Sequence, residues 1–377
     1  MMEPSIFDEL YQERILPRVS RSFALTIPQL PAALRAPVTT AYLLCRIADT
    51  IEDESALSLD ATLASLQRFV AVVCGKEEAS PLVRDLMPQL SKRTSSAERE
   101  LVLNMNRVIR LTARLQEPQR DAIERCIKVM CSGMHQFQCT ASLRGLACMS
   151  DLDDYCYYVA GVVGQMLTDL FCGYSAEVGQ HRNELHELAV SFGQGLQMTN
   201  ILKDMWEDRS QGACWLPQDV FTRHGIDLAQ LSPQHQETGF AAALSALVGI
   251  AHAHLRNALS FVLLIPSEEE GIRRFCLWAI GIAVLTLRNI ERTPGFTRGE
   301  QVKVSHVGVA MTLILTNAGV RNDGILQRLF EWAARGLPLA SPATVRRVLP
   351  PMPLMSSDAF GPQGSFPRGK VHAERTK

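Results

Sequence analysis

The chain has 377 residues, 47% hydrophobic and 20% charged, which is enough apolar content for a sizeable core and excludes a disordered chain. Its formal net charge of -1 and pI near 6.8 provide no global attraction to nucleic acid, so recognition of a charged ligand must come from a local cluster. Ten cysteines, spread from Cys45 to Cys276 without a C-x-x-C pair, and an acidic N-terminus, MMEPSIFDEL, without an apolar signal region, predict reduced buried thiols in a cytoplasmic protein.

Apolar residues recur at three- and four-residue spacings, and Gly and Pro fall between the periodic blocks, which predicts one all-α domain over residues 1–337. Pro28, Pro31 and Pro37 interrupt the entry to the first strongly patterned helix, with Pro37 expected in its first turn. That helix ends in RIADTIEDE, Arg46 to Glu54, where acidic side chains crowd one turn. Further helices are expected over about 59–74, 97–115, 118–144, 151–174, 182–210, 239–264, 269–291, 302–318 and 322–336. The longest apolar run, FCLWAIGIAVLTL between Arg274 and Arg288, is shorter than the roughly 20 residues of a spanning helix and reads as core, with no transmembrane anchor. His252 and His254, two apart on a helix, cannot share a face and read as structural. Residues 338–377, rich in Pro, Ser, Gly and basic residues, are expected to form an irregular, disordered tail.

One pattern occurs twice: D-T-I-E-D at 49–53 and D-M-W-E-D at 204–208. At 100° per residue, Tyr42, Arg46, Asp49 and Asp53 share one stripe of their helix, with Leu43, Leu44, Ile47 and Ile51 opposite. Gln197, Asn200, Asp204 and Asp208 form the equivalent stripe of the second, with Met198, Ile201, Leu202 and Met205 on another side. A solvated face is the simpler reading of one acidic turn, but Tyr, Asn and Gln beside aspartates at i and i+4 suit oxygen ligation of a hard divalent cation. Mg²⁺ favours one or two carboxylates completed by phosphate oxygens, so paired aspartate helices imply a diphosphate ligand. The spacing is not that of an EF-hand, and no His/Cys cluster suggests zinc.

SRSFALTIP (20–28), YLLCRIADTIEDE (42–54), YCYYVAGVVG (155–164) and LQMTNILKDMWED (196–208), in this order, resemble the squalene/phytoene synthase family, from about Ser20 to Pro217 and more weakly to Ala334. Within it, YCYYVAGVVG and the long C-terminal helical region are most similar to the squalene synthases. The resemblance implies the isoprenoid synthase helical bundle, with a central cavity between the two Asp-rich helices. It makes Asp49, Glu52, Asp53, Asp204, Glu207 and Asp208 the Mg²⁺ site, and Arg46, Ser20, Arg21, Ser22, Gln197 and Asn200 diphosphate-binding residues. It places Tyr42 and Phe23 in the cavity, Phe23 beside a carbocation, and makes Tyr155 the tyrosine that assists proton removal or orients a departing diphosphate.

The reaction implied is head-to-head condensation of two farnesyl diphosphates to presqualene diphosphate, then NADPH-dependent rearrangement to squalene. The NADPH site departs from the eukaryotic pattern. Leu277 stands at the aromatic position of FCLWAI, near Phe275 and Trp278, and KVSHVG (303–308) retains Lys303 while Ser305 and His306 replace cations. Lys303 and Asn200 are the candidate cofactor contacts. No G-x-G-x-x-G follows a strand, so no Rossmann site is expected. A non-reductive dehydrosqualene or phytoene synthase is the near alternative, and an inactive scaffold of the same fold the distant one. Peripheral contact with the inner membrane face is the remaining partner expectation.

Overall fold

Serine and asparagine side chains set where many of the helices begin. Ser20, Ser58, Ser95, Ser175, Ser305 and Asn322 each accept a hydrogen bond from a backbone N–H three residues on, satisfying a donor that has no partner within the first turn. In this computed structural model, which describes residues 6–138, 142–233 and 239–341, the helices run α1 (Ile6–Val19), α2 (Arg21–Thr26), α3 (Ala32–Glu52), α4 (Leu59–Val73), α5 (Ala79–Leu86), α6 (Ser96–Leu103), α7 (Met105–Arg114), α8 (Glu117–Gln138) and α9 (Met149–Cys156). After a π-helical turn at Tyr157–Gly161 follow α10 (Val162–Tyr174), α11 (Ala176–Gly179), α12 (Arg182–Ser210), α13 (Gln218–Thr222), α14 (Phe240–Leu264), α15 (Glu270–Arg292), α16 (His306–Gly319) and α17 (Asp323–Ala333). Among the described residues there is no β-strand, and an isolated parallel bridge joins Leu146 and Pro217, so the all-α expectation holds.

The long helices match their sequence patterns to within a few residues, and the differences have local causes. Pro31 caps α3, so Pro37 lies in its second turn rather than its first. The block expected at 97–115 breaks at Asn104, whose side chain bonds Glu100 O at 2.9 Å and accepts from Arg107 at 3.0 Å, an alternative to the backbone ladder that Asn readily supplies. The block at 151–174 is interrupted by the π turn, a feature that often accompanies functional sites. Residues 139–141, in the block expected at 118–144, and 342–377, in the expected tail, lie outside the described residues; Leu337–Ser341 do not, and Ala340 N donates to Gly249 O at 3.1 Å.

Two apolar cores result. One is built on α12, α14 and α15, the other on α3, α4, α7 and α8, and Tyr42, Val159 and Leu167 pack against both. Helix α14 is long and apolar enough to cross a membrane, but 67% of its most apolar window is buried in the protein, between α12 and α15. The described cysteines are all free thiols.

Close approach of α12 to the π turn requires Gly193, where an added Cβ would lie 2.3 Å from Ala160 O. Gly193→Ala therefore forces backbone to move and is expected to destabilise the fold by about 1–3 kcal/mol, read as a lower urea midpoint; an unchanged midpoint would show that this contact yields freely.

Candidate active site

Helix α3 presents its acidic stripe because Leu43, Leu44, Ile47 and Ile51 are completely buried on its other side. Helix α12 does the same, with Met198, Ile201, Leu202 and Met205 buried. The C-terminal ends of the two stripes approach each other: repulsion from Asp53 of α3 contributes to the raised proton affinity of Asp208 of α12, and Glu52, Asp53 and Asp208 all act on Tyr155.

The carboxylates are crowded beyond their ordinary ionisation. Burial, then repulsion from Asp53, pushes Asp49 up to about 7. Burial and the charges of Asp53 and Asp49 push Glu52 to about 8, although Gln138 donates to it at 3.4 Å. Burial and Asp204, Asp53 and Glu207 push Asp208 to about 7, and burial raises Asp53 and Asp204 as well. Yet a third of the Asp49 side chain and 42% of Asp204 reach solvent, and Asp53 is exposed. Groups with protein mass around them that still touch water stay accessible to a cation, which would relieve the repulsion.

Among the described residues no cluster of three or more His, Cys, Asp or Glu could hold a metal alone, so a cation such as Mg²⁺ would need phosphate oxygens to complete its shell here. Glu54, the fourth acid of RIADTIEDE, turns away. It accepts from Ser91 N, Thr94 Oγ1 and Ala56 N at 2.7, 2.6 and 3.0 Å, and these bonds outweigh burial and hold it below the usual carboxylate range. Glu207 points to the side: one oxygen accepts from Gly299 N at 2.9 Å and the other is buried with no partner.

The cations are positioned too. Arg46 pairs with Glu98 and lies 3.8 Å from Asp49. Glu98 also closes the capping box of α6 with Ser95, so the start of α6 steers the Arg46 guanidinium. Lys203 reaches Asp204 at 3.0 Å and donates to Asn200 at 3.4 Å, while the charge of Lys303 acts on Asp204 from the loop before α16. Asn200 is exposed and Gln197 half-buried on the α12 stripe. Ser20 caps α2, Ser22 is exposed, and the side chain of Arg21 lies outside the described residues.

Aromatic rings pack beside the acidic stripes. Phe23 lies 4.8 Å from Tyr42 and 6.3 Å from Phe275, and Tyr42 donates to Val19 O at 2.9 Å. The α15 aromatic that approaches Phe23 is thus Phe275; Leu277 turns to the opposite side of α15, and Trp278 donates to Asn317 at 3.2 Å. Tyr155 is buried, stacked on Trp215 at 4.3 Å and edge-on to Phe137 at 5.3 Å. Burial first, and the carboxylates of both acidic helices after it, raise its phenol pKa. His252 bonds Pro338 O and His254 bonds Ser191 Oγ, both at 2.7 Å, away from the acidic stripes.

Sequence reasoning overlooked Glu98, Gln138, Lys203 and Trp215. Lys203 and Trp215 lie in or just after the second acidic motif and were open to inspection. The S-x-x-E of Ser95–Glu98 signals a helix start, not an arginine partner, and Gln138 carries no signal.

Among known proteins, the chain is 28% identical over 314 residues to squalene synthase ERG9 of Gibberella zeae, an alignment covering 80% of this chain and 65% of the relative. It thus spans just under two thirds of the length of such curated relatives. The complex of TcSQS with the ligand E5700 shares the fold at a TM-score of 0.70 and 23% identity, over 87% of this chain and 97% of that one. A dehydrosqualene synthase bound to a ligand follows at 0.59 and 21%, over 86% and 96%. The family model for squalene/phytoene synthases matches residues 16–307, a span that holds both acidic helices, Tyr155 and Arg46, and the chain belongs to that family.

Proposed function

We propose that the chain is a squalene synthase, which joins two farnesyl diphosphates head to head and reduces the presqualene diphosphate formed to squalene with NADPH. The observation that carries this reading is the approach of Asp53 on α3 to Asp208 on α12, which brings together two aspartate pairs that reach water, with Phe23 and Tyr42 packed beside the α3 stripe. The four aspartates, with Glu52, would hold Mg²⁺, which when bound neutralises the diphosphate and supplies Lewis-acid assistance to its departure. Arg46, held by Glu98, and Lys203 place fixed positive charge where leaving-group charge develops. Phe23 and Tyr42 offer ring faces to an allylic cation and exclude water from it. The Tyr155 hydroxyl, held protonated near both carboxylate sets, would donate to the departing diphosphate and orient it, and the diphosphate oxygens would take the proton lost as the cyclopropane closes. The relatives' printed names support the product, and Lys303, close enough to act on Asp204, is the candidate NADPH contact together with Asn200. The absence of a second strongly basic side chain in KVSHVG favours one other reading: Ser305 is committed to capping α16 and His306 is exposed, so a non-reductive dehydrosqualene synthase is the second candidate. We place the protein in the cytoplasm.

Purified protein with farnesyl diphosphate and Mg²⁺, with and without NADPH, decides between them by mass spectrometry of extracted lipids. Squalene only with NADPH is expected. Dehydrosqualene, or presqualene diphosphate regardless of NADPH, keeps the condensation and discards the reduction; no prenyl product rejects the proposal.

A further inference from the structure

Helix α16 is apolar on both of its sides. Inward, Thr312 packs so closely on α15 that a Cβ at Gly281 would lie 2.4 Å from its methyl group. Outward, Val307, Met311 and Ile314 are 73, 47 and 60% exposed in i, i+4, i+7 register, and no Asp, Glu, Lys or Arg occurs in the helix. A helix apolar all round belongs in a core or in lipid, and an exposed stripe of this kind marks an interaction surface. The adjoining α17 carries a second outward stripe, Ile325, Arg328, Trp332 and Arg335, with Trp332 59% exposed and the Arg288 guanidinium 6.0 Å over its ring. Between α15, α16 and α17 lies a cavity of about 290 Å³ lined without a single charged side chain.

We propose that the α16–α17 face docks on the surface of an anionic lipid bilayer. Charge selects this occupant. From Lys303 to Ser341 the acidic residues are Asp323 and Glu331, and both are taken up, by Arg273 at 2.7 Å and Arg256 at 2.9 Å. Arg328 and Arg335 form no ion pair among the described residues, so the apolar stripes have a cationic border without a free acid. A second copy would bring the same border, and residues 342–377 contain six Lys and Arg against Asp358 and Glu374; like charge disfavours both as covers. Anionic headgroups complement the border, while Val307, Met311, Ile314 and Trp332 enter the headgroup and acyl boundary, the arrangement of an interfacial helix. This docking is independent of the chemistry proposed above.

The test is sedimentation of the full chain with vesicles of phosphatidylcholine alone or mixed with phosphatidylglycerol. The variants are Val307→Glu with Ile314→Glu, and Arg328→Glu with Arg335→Glu, each checked by circular dichroism melting. All four side chains are exposed, so folding is expected to survive. Binding should require phosphatidylglycerol, weaken with added salt, and fall by about tenfold or more in each double variant. Equal binding by wild type and both variants overturns the assignment. So does a lack of vesicle binding, including the case in which Val307→Glu with Ile314→Glu instead abolishes self-association and thereby assigns the face to a second copy.

Discussion

Asp49→Asn and Asp208→Asn are each expected to cut farnesyl diphosphate consumption by about 10²–10³-fold, the loss of a few kcal/mol of metal-assisted leaving-group stabilisation. The same substitutions should raise the melting temperature of the metal-free protein at pH 8. Both effects have one cause. Asp49 and Asp208 are pushed up to about 7 by burial and by neighbouring carboxylates, so at pH 8 each is an ionised group held against repulsion. Asparagine keeps the shape and removes the charge, relieving the fold while deleting the oxygen ligand. Diphosphate release measures the first effect and scanning calorimetry the second. Near-normal turnover in both variants would remove the aspartates from the metal site; lower melting temperatures would show that their charges support the fold.

Metal-free protein should also lose stability as pH rises from about 6.5 to 8. Unfolded, these carboxylates titrate near 4; folded, Asp49 and Asp208 titrate at about 7 and Glu52 at about 8. Between those limits the folded chain holds more protons than the unfolded chain, so stability is fully present below the unfolded value and is lost as pH rises through the folded ones. His254, lowered by burial to about 4, acts in the opposite sense below about 6.5. The window above 6.5 therefore isolates the carboxylates. Mg²⁺ with inorganic diphosphate should restore the melting temperature at pH 8 and do much less at pH 6.5. A flat profile in the wild type, or an unchanged slope in Asp49→Asn combined with Asp208→Asn, would contradict the crowding.

Periodicity alone determined that this chain is helical, which faces of α3 and α12 are greasy, and that Asp49, Asp53, Asp204 and Asp208 project away from those faces. Those are properties of one helix at a time, since the 100° step is local and the apolar side must be buried. Resemblance to the family added Tyr155 and Phe23 as neighbours of the aspartates. Only the tertiary structure decided how the stripes meet and which side chains serve them. Glu54 and Glu207 look as acidic in sequence as Asp53 and Asp208, but the first is consumed by the Ser91–Thr94 loop and the second gives one of its two oxygens to the backbone of Gly299. Glu98 steers Arg46 from 52 residues away, and Phe275 rather than Leu277 reaches Phe23. These partners come from packing between distant segments, where burial and desolvation set both geometry and proton affinity, and no repeat within a single helix encodes them. The apolar outer face of α16 belongs to the same class: only the packed fold leaves Val307, Met311 and Ile314 facing water.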